Sequence, residues 1–396
     1  MTDDFGIRNQ SLGSGIPSNR PHKSAPQIPK DACSHLISVG LWESITGDKL
    51  NPEKLLQIQD IFVPSNMGGS KIVSSKSIQY LMMARDRQEC RTLQNMIQDG
   101  NNTTRDEIFN ALYPNLGELS IDSSANFVIQ KMCEHATKEQ QGFLLTFFLE
   151  DINRIVNHPN GCRVLQKYIE FTTPANIDKI FMALLPTFVP LCSSQNGNHI
   201  AQRFISNLPE RIPLIIDIIR PHVVVLVLDN WGCRVIQQLF EKLPIESLLP
   251  LVDQILKHAD HLAANQFGNY VIQNIISSGN ADHINELVKL FKGHFYEFSI
   301  HKFASNVIEK CIRKADEAQK MMIFNEIIGD GDEYDNDRIE RLIKDQFGNY
   351  VIQRIIEFGT KNQKNAINNV VNERYDYITQ NSFARHVMTC LSKNGF

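Results

Sequence analysis

The chain has 396 residues, of which 42 % are hydrophobic and 21 % charged, and its formal net charge is −4. This composition is typical of a folded protein and argues against a binder that relies on an overall basic excess, although it leaves a locally basic site open. The eight cysteines form no CxxC pair, the start MTDDFGIRNQ is unlike a secretory signal, and no run of about 18 apolar residues is apparent. We therefore expect an intracellular, cytoplasmic protein with free thiols and no membrane association.

Motifs that mark common enzymes are missing from the sequence. It contains no P-loop, GxSxG, HExxH or dinucleotide-binding glycine motif, and its histidines lack metal-ligand spacing. We predict that the protein is not an enzyme and needs no cofactor or metal.

Three regions follow one another along the chain. Residues 1–30 are rich in Ser, Pro, Gly and Asn and predict a disordered tail. Residues 31–70 carry short helical patterns broken by Gly and Pro, which predict an N-terminal helical cap or pseudo-repeat. From residue 71 to residue 396 the apolar spacing is helical, and it recurs with a fixed period.

A pentapeptide marks this period. Its first residue is small or polar, its second varies, its third and fourth are mostly apolar, and its fifth is usually Gln. It occurs as CRTLQ, NFVIQ, CRVLQ, NHIAQ, CRVIQ, NYVIQ, SNVIE and NYVIQ, ending at residues 94, 130, 166, 202, 237, 273, 309 and 353. The spacing is 35 or 36 residues except for a last interval of 44, and a degenerate ninth copy, RHVMT, ends at Thr389. Units of this length predict an all-α, curved solenoid of eight repeats with two or three helices each. A C-terminal pseudo-repeat is expected from about residue 371.

The pentapeptide separates its residues onto two sides of a helix. Positions one, two and five lie within about 100° of one another, and the apolar positions three and four point away from them. Position one is only Asn, Cys or Ser, and position five is Gln seven times and Glu once. A solvated surface without a ligand would drift towards Lys, Glu and Ala, so this polar row indicates an extended ligand with a repeating chemical unit.

The residue types in the row suit unpaired nucleic-acid bases. Position two is planar or stackable except at Asn306, and such side chains sandwich bases with about 1–3 kcal/mol each. Gln offers a donor and an acceptor, which suits uracil beside Asn and adenine beside Cys. Glu309 only accepts hydrogen bonds when ionised, which suits the N1–H and N2–H donors of guanine.

The eight pentapeptides, with their flanking QFGN-type and FAS-containing segments, resemble the repeats of the Pumilio/FBF (PUF) family of RNA-binding proteins over residues 71–396. The resemblance implies a right-handed crescent of three-helix repeats that binds single-stranded RNA antiparallel to the protein. Positions one and five would read base edges, through Cys90, Gln94, Asn126, Gln130, Cys162, Gln166, Asn198, Gln202, Cys233, Gln237, Asn269, Gln273, Ser305, Glu309, Asn349 and Gln353. Position two would stack on bases, through Arg91, Phe127, Arg163, His199, Arg234, Tyr270, Asn306 and Tyr350.

By the family's code these units specify 5′-UGUAUAUA-3′, an element of mRNA 3′ untranslated regions. The resemblance further implies a monomer on RNA that regulates translation or mRNA decay by recruiting effectors such as a deadenylase. Whether an extra base is flipped out, giving nine nucleotides rather than eight, stays open. We also expect cations beside the pentapeptides to meet phosphates, namely Lys131, Lys167, Arg203, Lys310 and Arg354.

The longest interval places an insertion at residues 329–337, between the seventh and eighth repeats. Its Gly and Asp content predicts a flexible loop, which is either a passive insertion or, as the resemblance implies, a contact for a protein partner through Tyr334. Arg beside Cys90, Cys162 and Cys233 predicts a somewhat lowered thiol pKa.

Two other classes of protein share part of the pattern. An armadillo or HEAT scaffold for protein partners shares the period and the helices but does not explain the polar row. A structure-recognising, nucleolar PUF-like protein would be basic and would have degenerate pentapeptides, and this chain has neither feature.

Overall fold

A computed structural model describes residues 75–330 and 333–396, which lie within one compact unit, Gly69–Phe396. The predicted tail at 1–30 and the predicted cap at 31–70 lie outside the described residues. The described part of the chain is almost entirely helical, as predicted.

Twenty-six α-helices follow one another in the described residues, three per repeat and two in a final partial unit. They are α1 Ser75–Arg85, α2 Glu89–Asp99, α3 Asn102–Leu112, α4 Leu116–Ile121, α5 Ala125–His135, α6 Lys138–Glu150, α7 Ile152–Asn157, α8 Pro159–Phe171, α9 Pro174–Leu184, α10 Phe188–Cys192, α11 Gly197–Asn207, α12 Ile212–Ile219, α13 Val223–Leu228, α14 Gly232–Lys242, α15 Leu249–Leu256, α16 Ala259–Ala263, α17 Gly268–Ser278, α18 Ala281–Phe291, α19 Phe295–Ser299, α20 Ala304–Lys314, α21 Glu317–Ile328, α22 Asn336–Lys344, α23 Gly348–Phe358, α24 Lys361–Glu373, α25 Tyr375–Ile378 and α26 Ala384–Lys393.

The second helix of every repeat carries the pentapeptide and packs against the second helices of its neighbours. Contacts run without interruption through α2, α5, α8, α11, α14, α17, α20, α23 and α26. Each repeat therefore buries its apolar residues against the repeats on either side, and the result is an all-α solenoid. The final partial unit, α25 and α26, covers the last face of the array.

Side-chain caps explain where the third helices begin. Asn101, Thr137, Thr173, Asp316 and Thr360 each accept a hydrogen bond from a backbone N–H in the first turn of the helix that follows. These caps satisfy N–H groups that have no partner within the helix, and so they fix the break between the second and third helices.

The insertion between the seventh and eighth repeats contains a short strand pair in its described residues. Gly329–Asp330 and Glu333–Tyr334 form two short antiparallel strands, β1 and β2, with Gly329 opposite Tyr334. Gly329 has φ of +86°, and a Cβ there would lie 2.6 Å from the Glu333 carbonyl oxygen, so glycine is required at this turn into the hairpin. The described part of the predicted loop thus contains two short paired strands, and its flexibility stays a prediction.

One helical stretch in the described residues, Pro174–Cys192, is long and apolar enough to cross a membrane by length and composition, with a mean hydropathy of 1.3. No such stretch was expected from the sequence. A 3-10 turn at Leu185–Thr187 interrupts it, and Phe181, Leu184 and Phe188 are buried in the core of the solenoid. Packing between repeats accounts for its apolar residues.

Candidate nucleic-acid interface

The five positions of the pentapeptide have nearly the same environment in all eight repeats. Position one is buried, position two is exposed, position four is buried and position five is half-buried in every repeat. Position three is buried except at Thr92 in the first repeat. Because successive second helices pack side by side, positions two and five form two parallel rows along the solenoid.

Position one is deeper than the helical angles predicted. Asn126, Asn198 and Asn349 are completely buried, and Asn269 is 2 % exposed. In each of them Nδ2 donates to the backbone carbonyls three and four residues earlier, as at Asn198, with distances of 2.9 and 2.8 Å. Position one is therefore buried rather than on the open face that the helical angles predicted, and its amide bonds to backbone carbonyls just before its own helix.

Position one also orients the amide at position five. Gln130, Gln202 and Gln273 donate from Nε2 to the Asn Oδ1 of the same repeat at 2.9–3.0 Å. In the third repeat Gln166 donates to the Cys162 sulfur at 3.3 Å. The Gln oxygen and the second Nε2 hydrogen are not used in these bonds, so each Gln presents one acceptor and one donor beside the exposed row.

A recurring turn holds the pentapeptide in place. Four residues before position one, a side chain accepts hydrogen bonds from the backbone N–H groups two and three residues later, as Asp122, Asp229, Asn265 and Asp345 do. The Gly of the QFGN segments allows the first and second helices to approach closely, since a Cβ at Gly268 would lie 2.7 Å from the Leu262 carbonyl oxygen. Sequence reasoning missed this row of caps, although its fixed spacing is visible in the sequence.

Position two provides exposed rings and guanidinium groups along the row. Phe127 is 45 % exposed, Tyr270 55 % and Tyr350 49 %, which is unusual for aromatic side chains without a partner. The Arg234 guanidinium lies 5.2 Å from the ring centroid of Trp231, within the range of a cation–π contact.

The first two repeats enclose an open groove between their position-two side chains. Its volume is about 1130 Å³, and its lining includes Cys90, Arg91 and Gln94 from the first repeat and Phe127 from the second. The three predicted contact residues of the first repeat therefore line the same groove as Phe127, the predicted stacking residue of the second repeat.

Glu309 differs from the seven Gln residues in its partners as well as its charge. Its carboxylate lies 3.7 Å from Arg354 Nε, and none of the described residues donates a hydrogen bond to it. Burial raises the pKa of Glu309, opposed by Arg354 and reinforced by Glu357. Its oxygens are thus held beside a cation and remain open to an incoming donor.

The middle of the row is locally basic in spite of the acidic total. Burial lowers the pKa of His199, and the positive charges of Arg234, Arg163 and Arg203 lower it further. This supports the expectation of a locally basic face.

The cations after the pentapeptides do not form a free row. Lys131, Lys167, Arg203 and Arg354 each have a carboxylate within 4 Å. Among the described residues only Lys310 in this set has no such partner. Four of these five cations are therefore paired with carboxylates when no RNA is bound, and their contact with phosphates stays a prediction.

Burial raises the pKa of two cysteine thiols at position one. Burial raises the pKa of Cys162 to about 11 although Arg163 opposes the shift, and burial likewise raises the pKa of Cys233. The prediction of lowered thiol pKa values is wrong at these two residues, because desolvation outweighs the charge of the adjacent guanidinium. All described cysteines are free, and no metal-binding cluster of His, Cys, Asp and Glu occurs between residues 75 and 330 or 333 and 396.

Comparison with known proteins agrees with this geometry. The profile of the Pumilio-family RNA binding repeat matches eight segments, 79–113, 115–146, 152–185, 188–219, 222–256, 258–290, 294–328 and 338–367. The chain belongs to the Pumilio family. This match removes the armadillo or HEAT alternative, because the Pumilio repeat accounts for the period and for the polar row together.

Curated Pumilio proteins and solved Pumilio domains resemble the chain over most of its length. A Pumilio domain-containing protein of Schizosaccharomyces pombe is 31 % identical over 310 residues, covering 77 % of this chain and 44 % of that protein. Pumilio homolog 12 of Arabidopsis thaliana is 26 % identical over 357 residues, covering 87 % of this chain and 57 % of that protein. The chain thus spans about half the length of these relatives.

Two solved structures show the same architecture. The crystal structure of PUF-8 in complex with PBE-RNA has a TM-score of 0.71 and 26 % identity, covering 86 % of this chain and all of that one. The Puf4 RNA binding domain, bound to the HO endonuclease RNA 3′ UTR recognition sequence, has a TM-score of 0.68 and 29 % identity. The match covers 78 % of this chain and 97 % of that one.

Proposed function

We propose that the protein binds single-stranded RNA sequence-specifically and regulates mRNAs after transcription. The observation that carries this proposal is the eightfold recurrence of an exposed stacking side chain beside a half-buried, oriented amide or carboxylate. Bases that unstack onto such side chains expose their edges to position five. The RNA-bound Pumilio domains that the chain resembles support the same ligand.

The preferred sequence in this proposal is 5′-UGUAUAUA-3′, within mRNA 3′ untranslated regions. The chain runs antiparallel to the RNA, so the eighth repeat contacts the first base and the first repeat contacts the last. Asn with Gln reads U, Cys with Gln reads A, and Ser305 with Glu309 reads G. The cytoplasm is the proposed location, since mature mRNA is regulated there.

Competition between two RNA octamers tests the base code. We expect UGUAUAUA to bind at least a hundredfold more tightly than ACAAUAUA, since each of the three altered bases should cost about 1–3 kcal/mol. The phosphate contribution is the same for both RNAs and cancels in the ratio of their affinities. Fluorescence anisotropy over a range of salt concentrations measures both affinities. Comparable affinity for the two RNAs would contradict the proposal, and equal salt slopes would confirm that the phosphate contribution is shared.

Regulation also requires effectors, and we propose that the hairpin at residues 329–337 contacts a protein partner through Tyr334. The ring is half-buried, and burial, with a smaller contribution from Asp330, raises its pKa. Tyr334→Ala should weaken copurification of a deadenylase complex and leave octamer affinity unchanged. Tyr296→Ala, which alters a ring already covered by Arg338 at 4.6 Å, is the matched control. Loss of RNA binding together with partner binding in Tyr334→Ala would count against this role.

A further inference from the structure

A second row of side chains runs parallel to the base-contacting positions. It consists of position six, directly after the pentapeptide, and position nine, four residues after position five. On a helix these positions lie at about 140° and 80°, on the same side as positions two and five, and position nine is one turn, about 6 Å, further along. Groups in this row therefore lie next to any RNA backbone whose bases reach positions two and five.

In repeats two to four this row is an alternating chain of ion pairs. Glu134 lies 2.5 Å from Lys131 of its own repeat and 3.3 Å from Lys167 of the next. Glu170 in turn lies 3.3 Å from Lys167 and 3.8 Å from Arg203 of the following repeat. Two carboxylates thus hold three cations, and each carboxylate bridges two repeats.

The same contact continues with neutral groups into the fifth repeat. Gln238, at position six, donates from Nε2 to the Ser206 hydroxyl, at position nine of the preceding repeat, at 3.3 Å. The stacking of repeats therefore places position six against position nine of the preceding repeat, whether or not the two side chains are charged. Carboxylates at position nine in repeats two and three turn this geometric contact into an ion pair.

The ion pairs of Glu134 are partly shielded from solvent, whereas Glu170 and Arg203 are 41 % and 43 % exposed. Lys131, Lys167 and Glu134 are only 22 %, 25 % and 20 % exposed, so salt screens them less than pairs on an open surface. Burial alone would raise the pKa of Glu134, but the hydrogen bonds and charges of Lys131 and Lys167 outweigh it and lower the pKa. The carboxylate is therefore ionised at neutral pH.

We propose that Glu134 and Glu170 are specificity determinants that withhold Lys131, Lys167 and Arg203 from RNA phosphates. The proposal rests on the proposed RNA-binding function and adds a mechanism for its selectivity. Phosphate contacts contribute affinity without sequence information, so cations already paired with carboxylates leave base contacts to decide binding. In contrast, Lys310 of the guanine-contacting repeat has no carboxylate partner among the described residues, which leaves a phosphate contact at the UGU end.

A charge-neutralising double variant, Glu134→Gln with Glu170→Gln, tests the proposal. Gln keeps the size and a hydrogen-bonding oxygen but releases the cations to compete for phosphates. We expect about tenfold tighter binding of a scrambled octamer near 0.1 M salt, and a log–log salt slope that is steeper by about 0.7 for each additional phosphate that a released cation neutralises. Affinity for UGUAUAUA should rise less, so the ratio of the two affinities should fall.

Glu241→Gln is the matched control. Glu241 occupies the same position nine in the fifth repeat, but no cation pairs with it among the described residues, and position six there is Gln238. Its removal changes the net charge by one unit without releasing a cation, so it should leave the salt slope unchanged. Thermal unfolding checks that all variants remain folded.

The outcomes separate this proposal from the RNA-binding function on which it rests. An unchanged salt slope in the double variant, or the same change in Glu241→Gln, overturns the role of the two glutamates even if UGUAUAUA is still preferred. A steeper slope on both RNAs, in a protein that never prefers UGUAUAUA, supports the ion-pair row and overturns the base code instead. No binding of either RNA by any variant overturns both.

Discussion

In the proposed base code, the identity of a single side chain decides how each repeat distinguishes bases. A Gln that presents one donor and one acceptor can pair with the donor–acceptor edge of uracil and with that of adenine, so Gln alone does not separate them. The residue at the buried position one must therefore separate uracil from adenine. It can do so through the direction in which it holds the Gln amide and through the space that it leaves for the base. Glu309 has no such ambiguity, because an ionised carboxylate repels every acceptor and matches only paired donors.

Recognition of guanine should therefore depend on pH through Glu309. Burial raises its pKa, so protonation begins at a higher pH than for an ordinary Glu, and a protonated carboxyl can no longer accept both guanine donors. Guanine binding favours the ionised form, so the affinity ratio of UGUAUAUA to UAUAUAUA should increase as pH rises through this pKa and level off above it. Titrations of both RNAs between about pH 4.5 and 7.5 measure this ratio.

The variant Glu309→Gln provides the control for this dependence. It should lose preference for guanine by about 1–3 kcal/mol, if an edge contact is worth what it is in DNA recognition, and its affinity ratio should not vary with pH. His199 also titrates, but its charge acts on both RNAs equally and cancels in the ratio. A pH-dependent ratio that persists in Glu309→Gln would assign the effect to another group.

At the scale of the helix, sequence spacing predicted which residues belong together but not how deep each one lies. The period and the apolar positions three and four follow directly from helical geometry, and the structure buries all of them except Thr92. The depth of position one was missed, because an angle on one helix does not show that the neighbouring helix covers it. Asn126 and its counterparts are buried by packing between repeats. The spacing of residues within one repeat gives no information about that packing.

Contacts between repeats explain the other differences from the sequence-based expectations. The ion pairs that join successive repeats, such as Lys167 with Glu134 and Arg203 with Glu170, were missed because their partners lie 33 residues apart in the sequence. The hairpin at Gly329–Tyr334 was missed because a two-residue strand leaves no periodic signal. The thiol of Cys162 was expected to be acidic from its neighbour Arg163, whereas its burial depends on the whole stack.

For the whole molecule, the proposed RNA binding and the stability of the fold would depend on the same stacking of repeats. In the described residues each second helix packs against the second helices of its neighbours, so a defect in one repeat affects the register of the repeats on both sides. The proposed octamer would need all eight second helices at a common spacing. Loss of packing in a central repeat should therefore weaken RNA binding even when no contacting residue is changed.

Two leucines at the same repeat position make this dependence testable. Leu239 in α14 and Leu391 in α26 both lie two residues after position five and are 0 % and 3 % exposed. Leu239→Ala should lower the free energy of unfolding by about 2–5 kcal/mol, since α14 is packed between α11 and α17 and the cavity cannot collapse. Leu391→Ala should cost less, because α26 ends the array and relaxes on its open side.

Hydrogen exchange and RNA affinity together distinguish the two variants. Leu239→Ala should increase exchange in the second helices of repeats four to six and weaken UGUAUAUA binding, because the two halves of the octamer then meet helices that are no longer in register. Leu391→Ala should increase exchange only in α25 and α26 and leave binding of the octamer nearly unchanged. Equal losses of affinity in the two variants would mean that the final partial unit contributes to the RNA-binding row, and that the array behaves as one cooperative body rather than as a chain of neighbours.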